Sequence, residues 1–299
     1  MHDWEVEHLQ AMLRLAAQLK DDLRVGRPHA HLAGRTLGMI FQKSSTRTRV
    51  SFEVGMAQLG GQALFLSSAD LQLGRGESIA DTAHVLGRYV DGIMARTFAH
   101  TDVEDLARTS GVPVINGLTD LLHPCQAMAD VMTIQEKKGR LAGIRLAYVG
   151  DSNNVTHSLL QAGAKFGMQV RVASPAGYQP NTGILDAARD EARRTGGDIR
   201  IGEDPVEAVR GADVVYTDTW ASMGQEGERD TRLRVLRPYQ VDARLMAQAV
   251  ADALFMHCLP AHRGEEVTAE VMDGPHSVVF DEAENRLHVQ KAILALLMA

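Results

Sequence analysis

The chain is poor in cysteine. Only Cys125 and Cys258 occur among 299 residues, which excludes a disulfide framework. It also lacks any apolar run near the ~20 residues needed to cross a bilayer, so no membrane partner is expected. Its first residues, MHDWEVEHLQ, are acidic and have no apolar signal core. Positive charge is not in excess: the formal net charge is −7 and the isoelectric point lies near 5.9. That argues against a nucleic-acid or anionic-membrane surface. Two nucleotide signatures are missing as well. No G-x-x-x-x-G-K-[ST] loop occurs, and the VGDSNNV segment lacks the three-glycine dinucleotide fingerprint. These absences lead us to expect a cytoplasmic protein that acts on small molecules and uses no nicotinamide cofactor.

What is present is ordinary in bulk: 45% of residues are hydrophobic and 23% are charged, as in soluble globular proteins. The length suggests roughly two domains. Val6, Leu9, Leu13, Ala16, Leu19 and Leu23 recur at helical spacing. Beyond Pro28, short apolar runs at 36–41, 62–66, 90–95 and 112–115 read as strands, with helices near 47–59, 77–88 and 102–110. A helix over about 123–138 follows. Strands are expected near 144–149, 168–173, 213–217, 253–257 and 277–280. Helices are expected near 154–166, 182–195, 204–210, 241–251 and 284–298. This alternation implies an α/β protein with two similar-sized domains, each a parallel sheet with helices on both faces. The charged EKKGRLAG segment divides them. Domains of 1–135 and 136–281 are expected, with residues 282–299 forming a terminal helix that packs back on the first.

Ligands of such sheets bind beyond the carboxyl ends of the strands, and the unusual residues lie there. KSSTRTR follows the first strand. Ser44, Ser45, Thr46 and Thr48 supply hydroxyls, and Arg47 and Arg49 supply guanidiniums, where a strand hands over to a helix. A helix N-terminus favours anions, and an arginine can grip two oxygens of a phosphate. The bland alternative is a Ser45 cap with solvated arginines. Arg96 ends another strand. In HPCQ, Pro124 suits a first helical turn, leaving His123 and Gln126 near that terminus or, equally, in the core. His123, Cys125, His257 and Cys258 could be counted as a zinc set. Their spacing does not match the usual pairs, and no metal is expected.

These segments together resemble the aspartate/ornithine carbamoyltransferases, and most closely the ornithine branch. The carriers are SSTRTRVSFEVGMAQLGG, LQLGRGESIADTAHVLGRYVDGIMART, HPCQAMAD, GDSNNVTHSLL, DTWASMGQE, HCLPAHRGEEV and EAENRLH. The resemblance implies that Ser45, Thr46, Arg47 and Thr48 hold the phosphate of carbamoyl phosphate. It puts Arg96, His123 and Gln126 on the carbonyl side and bridging oxygen, and Arg286 near the carbamoyl group. Gln72 matches a residue that a neighbouring subunit lends, which implies a homotrimer, or a multiple of trimers, with shared sites. Asn154, Asp218, Ser222 and Met223 match the residues that bind the amino-acid end of L-ornithine. Cys258 and Leu259 match the segment around its side-chain nitrogen, where the carbamoyl group also lies. Arg96, His123 and Cys258 are thereby expected to be catalytic. Ser44 and Gly76 depart from the pattern of many relatives.

The implied reaction needs no cofactor, because the carbamoyl group is already activated. Only a neutral amine attacks. With a free pKa of ~10.4, reaching that form at pH 7 costs about 4.6 kcal/mol, which a dry pocket partly recovers. The DTWASMG loop carries the anion Asp218 and no arginine, which suits a diamino acid better than aspartate. The expected product is citrulline, on the way to arginine. Two other readings stay open: a carbamoyltransferase for aspartate, putrescine or an acylated ornithine, and a non-catalytic binder of the phosphate compound.

Overall fold

The computed structural model describes residues 1, 3–67, 76–221 and 226–299. Gln72, Ser222 and Met223 lie outside the described residues. The chain forms two compact units, one of Glu7–Ala129 with Glu284–Ala299, the other of Met1–Val6 with Asp130–Ala283.

The amino-side unit opens with α1 (Val6–Arg24), whose Leu9, Met12, Leu13, Ala16 and Leu19 are buried at the spacing of one helix face. There follow β1 (Thr36–Phe41), α2 (Thr46–Gln58), β2 (Gln62–Ser67), α3 (Ile79–Leu86), β3 (Gly92–Arg96), α4 (His100–Thr109), β4 (Val114–Leu118) and α5 (Pro124–Lys138). The strands are parallel, in the order β2-β1-β3-β4. Leu37 through Phe41 of central β1 are all buried, as expected where both faces of a parallel sheet are covered. Ile40, Ile93 and Ala95 pack with Ala83, Val103 and Leu106 to seal one face under α3 and α4.

The carboxy-side unit continues with β5 (Arg145–Val149), α6 (Asn154–Lys165), β6 (Gln169–Ala173), α7 (Thr182–Thr195), β7 (Asp198–Gly202), α8 (Pro205–Val209) and β8 (Val214–Tyr216). After it come α9 (Arg229–Leu236), α10 (Ala243–Met246), β9 (Leu254–Met256), α11 (Ala269–Met272) and α12 (Val279–Met298). Its parallel sheet has the order β7-β6-β5-β8-β9. Ala147, Val149, Val215 and Phe255 from this sheet pack with Trp220, Val241 and Val267 in a buried core.

The alternation of elements is the one read from the sequence, with local corrections. Residues 277–280 are not a strand: Ser277 makes a single bridge to Phe255, and α12 begins at Val279. The apolar run misleads there, while Asp281 and Glu282 in the first turn favour a helix start. The helix expected over 241–251 shortens to Ala243–Met246. Strand β7 and helices α9 and α11 were not anticipated, since DIRIG alternates over too few residues and α9 is mostly charged.

The amino-side unit buries a lysine. Lys291 of α12 is fully buried; its Nζ donates to Leu19 O at 3.3 Å and lies 3.2 Å from His29 Nε2. Burial pulls its pKa down to about 8, with the Asp22 carboxylate opposing. An unfolded lysine keeps its proton to ~10.4. Between these values the unfolded chain binds more protons, so stability rises with pH. We expect Lys291→Met to remove that rise. Its stability relative to wild type should fall by about 2 kcal/mol between pH 7 and pH 10, read from chemical denaturation at each pH.

Candidate active site

Each sheet reverses its winding direction once, between β1 and β3 in one unit and between β5 and β8 in the other. Strand ends at such reversals open a crevice in this class of fold. Phe41 and Arg96 are paired at the ends of β1 and β3, next to the helix entry at α2.

Ser45 caps α2 in an extended conformation. Its Oγ accepts from Thr48 N at 3.3 Å and donates to Thr48 Oγ1 at 3.1 Å. The first turn of α2 contains no acid, and instead carries Arg47 and Arg49. Cations there oppose the helix dipole, a cost that a bound anion would offset. Thr46 is exposed and Arg47 half-buried. Arg49 turns away: Nε donates to Glu53 at 2.9 Å and the guanidinium lies 3.9 Å over the Phe65 ring.

Arg286, on α12, is buried beside this turn. Its Nη2 donates to Thr48 Oγ1 at 2.9 Å, and its Nη1 donates to Gln126 Oε1 at 2.5 Å and meets His123 Nε2 at 3.1 Å. All three partners are buried. None is an anion, and Nε is a buried donor with no hydrogen-bond partner among the described residues. Burial first, then the guanidiniums of Arg286, Arg96 and Arg47, push the His123 pKa well below its usual value. A neutral His123 that accepts from Arg286 at Nε2 carries its hydrogen on Nδ1. Its neighbour Cys125 is inert: burial raises the thiol to about 11, and Sγ donates to Asn116 O at 3.4 Å. The arrangement is a positively charged, donor-rich cluster, the kind of environment that suits a compact anion.

In the carboxy-side unit, Asp218 follows β8 and is buried. Its Oδ2 accepts from Asn153 Nδ2 at 2.6 Å. Its Oδ1 accepts from Thr219 N at 2.8 Å and from the Cys258 thiol at 3.1 Å. Asn153 also caps α6, accepting from Val155 N at 2.9 Å, while Asn154 is the half-buried first residue of that helix. Burial, then the Asp218 carboxylate, raise the Cys258 pKa well above a free thiol, so it is not a ready nucleophile. Leu259 adopts φ 58, the left-handed region that a non-glycine residue enters at a cost. Its N–H donates to His257 Nδ1 at 2.9 Å, which leaves the hydrogen on His257 Nε2, 3.2 Å from Glu266 Oε1. Asp218, His257 and Cys258 thus bring potential ligand atoms within 4.8 Å of one another. Both His257 nitrogens are engaged, however, and the group is a hydrogen-bonded one. Asp151 pairs with Arg232 at 2.7 Å; burial nevertheless lifts its pKa to about 6.

Residues 1–136 match the carbamoyl-P binding domain of aspartate/ornithine carbamoyltransferases, and residues 142–297 match the Asp/Orn binding domain. The chain belongs to the aspartate/ornithine carbamoyltransferase family. It is 58% identical over 298 residues to the ornithine carbamoyltransferase of Thermococcus kodakarensis, covering 100% of this chain and 95% of that protein. It is 60% identical over 299 residues to that of Symbiobacterium thermophilum, covering 100% and 96%. The solved structure of ornithine carbamoyltransferase from Pyrococcus furiosus superposes with a TM-score of 0.97 at 58% identity, covering 99% of this chain and 95% of that one.

Within this family frame, the structure gathers Ser45, Thr48, His123, Gln126 and Arg286 into one network, with Arg96 and Arg47 near enough to act on His123. It places Asp218 with Cys258. Asn153 was not singled out from the sequence, although the rule that an asparagine precedes a helix as its cap distinguishes it from Asn154. Its removal would leave Asp218 without its shortest hydrogen bond. A direct consequence concerns Cys258. Its alkylation by iodoacetamide, followed by mass spectrometry at pH 8, should be slow in wild type. In Asp218→Asn it should speed up by as much as about tenfold per unit of lowered thiol pKa. An unchanged rate would mean that Asp218 does not set the thiol.

Proposed function

We propose that this chain is an ornithine carbamoyltransferase, forming L-citrulline and phosphate from carbamoyl phosphate and L-ornithine. The observation that carries the reading is the buried Arg286 guanidinium, bonded among the described residues to Thr48, Gln126 and His123 at an α2 terminus without acids in its first turn. Ser45, Thr46, Arg47 and Thr48 hold the phosphate. Arg96, His123, Gln126 and Arg286 face the carbamoyl carbonyl and bridging oxygen. The neutral amine of ornithine attacks the carbamoyl carbon and forms the new C–N bond. Negative charge gathers on the carbonyl oxygen, where guanidinium and imidazole N–H donors stabilise it. The C–O bond to phosphate then breaks. Phosphate leaves with the electron pair, and the nitrogen sheds its extra proton. His123 serves as a donor without having to be protonated first.

Asn154, Asp218, Ser222 and Met223 bind the amino-acid end of ornithine, with Cys258 and Leu259 beside its side-chain nitrogen and the carbamoyl group. Asp218 supplies negative charge for an ammonium. Cys258 acts as a substrate-facing group and forms no covalent intermediate. The compartment is the cytoplasm, consistent with two free thiols, and the direction is toward arginine; the Pyrococcus furiosus relative is itself named anabolic.

Acceptor choice tests the reading. With carbamoyl phosphate and each acceptor in turn, kcat/KM for ornithine should exceed that for putrescine and aspartate by at least about 100-fold. Equal values for putrescine would make the α-carboxylate contacts irrelevant. Rapid carbamoylation of aspartate would move the chain to the other branch.

The active site is shared in a homotrimer or a multiple of trimers, with Gln72 lent by a neighbour. A cleft-defective variant at Arg96 and a loop-defective one at Gln72, unfolded and refolded together in equal amounts, should recover about a quarter of wild-type activity. Efficient refolding into mixed trimers without recovery would assign Gln72 to its own subunit or to no site.

A further inference from the structure

Between β5 and α6 the chain turns through residues 150–153, and Asn153 makes two different contacts with its one amide. Its extended backbone, φ −97 and ψ −164, makes it the cap of α6. Oδ1 accepts from Val155 N at 2.9 Å and from Thr156 N at 3.4 Å. Nδ2 donates to Asp218 Oδ2 at 2.6 Å. The amide has one workable orientation. A flip would set its NH2 against two helix N–H groups and its oxygen against a carboxylate. The helix terminus thus decides which end of the amide meets Asp218.

Asp218 is buried and has no ion-pair partner among the described residues. Two of its donors, Thr219 N at 2.8 Å and the Cys258 thiol at 3.1 Å, meet Oδ1. Among the described residues Asn153 is the sole donor to Oδ2. Thr219 is the chain neighbour of Asp218, and a thiol is a weak donor. Asn153 is therefore the strong contact that ties this carboxylate to another element. Tyr148, Tyr216 and Asp151 are the further titratable groups near it. None of them replaces the amide: the phenols donate to Asp151 O and to Glu282, and Asp151 is paired with Arg232.

The residue type follows from both contacts together. Serine, threonine and aspartate cap helices about as well as asparagine. Serine and threonine are shorter and bring no N–H to Oδ2. Aspartate has the right length but sets a second carboxylate against the first, and like charges so close resist ionising together. Asparagine alone among these caps offers an acceptor to the helix and a donor to the acid. With Oδ2 held by Asn153 and Oδ1 by Thr219, the plane of the carboxylate is fixed, and with it the lone pairs left for an incoming ammonium. We propose that Asn153 is a positioning residue for amine recognition, which uses the α6 terminus to aim Asp218 at the ornithine. The proposal rests on the reading of Asp218 as an ornithine-binding residue.

Two variants separate this role from helix capping. Asn153→Ser keeps the cap and loses the N–H to Asp218. Its KM for ornithine should rise by about tenfold or more, with KM for carbamoyl phosphate within about twofold of wild type. Asn153→Asp keeps cap and shape but pairs two acids. Its KM for ornithine, relative to wild type at each pH, should be raised most at pH 8 and recover toward pH 6, as a shared proton restores a donor to Asp218. A second arm needs no activity. An unfolded aspartate titrates at ~3.9, and the acid pair holds one folded-state pKa above that value. The stability of Asn153→Asp relative to wild type, read from chemical denaturation, should therefore fall as pH rises from 5 to 8. An unchanged KM for ornithine in Asn153→Ser would overturn the proposal, and so would an equal rise in both KM values, the mark of a merely loosened helix. If Asn153→Ser does not fold, the pH course of Asn153→Asp decides: a KM ratio for ornithine that does not change with pH overturns the proposal. If wild type carbamoylates no ornithine, the functional reading falls, and the denaturation arm alone upholds or overturns the Asn153–Asp218 contact.

Discussion

A buried guanidinium whose hydrogen-bond partners among the described residues are all neutral is the constraint from which the rest of the candidate site follows. Removing a guanidinium charge from water costs several kcal/mol unless an anion compensates. Thr48, Gln126 and His123 satisfy its geometry but not its charge. Arg47 in the first turn of α2 acts on His123 in the same direction, where the helix terminus is itself positive. A cluster of this kind suits a compact anion. Burial first, and then the same field, keep His123 neutral, so it is a hydrogen-bond donor at the pH where a free imidazole would be partly charged.

The carboxy-side unit solves a different problem with acids. Asp218, Glu266 and Glu282 are buried, and each has assigned donors: Asn153, Thr219 and Cys258 for the first, His257 and the His262 N–H for the second, Tyr216 and the His257 N–H for the third. These bonds converge on residues 257–259 and hold Leu259 in its left-handed conformation. One unit thus concentrates positive charge for a phosphate compound, and the other concentrates acceptors suited to amines.

The long elements were legible because their burial is simple. Strands β1, β3 and β5 are covered on both faces and read as continuous apolar runs, and α1 shows its stripe plainly. Short or charged elements such as β7 and α9 were not legible, because few residues carry their period. The Ser45 cap was readable from local chemistry. Arg286 was not, since its partner Gln126 is 160 residues away and nothing in EAENRLH marks a buried cation; only the resemblance pointed to it. Asp130 sits inside the apolar stretch AMADVMTI, a visible sign of a buried polar group. Non-local pairing of polar groups is what the sequence hides.

The central claim is that burial and the guanidiniums of Arg286, Arg96 and Arg47 hold His123 neutral, and that a bound anion offsets the guanidiniums. Nuclear magnetic resonance of the His123 ring nitrogens measures this most directly, titrated with pH in the presence and absence of inorganic phosphate, the stable product. The account predicts that free protein keeps His123 neutral well below the ordinary histidine range, and that bound phosphate raises its pKa by offsetting the guanidiniums. A His123 that titrates near ~6.5 in the free protein and ignores phosphate would contradict it.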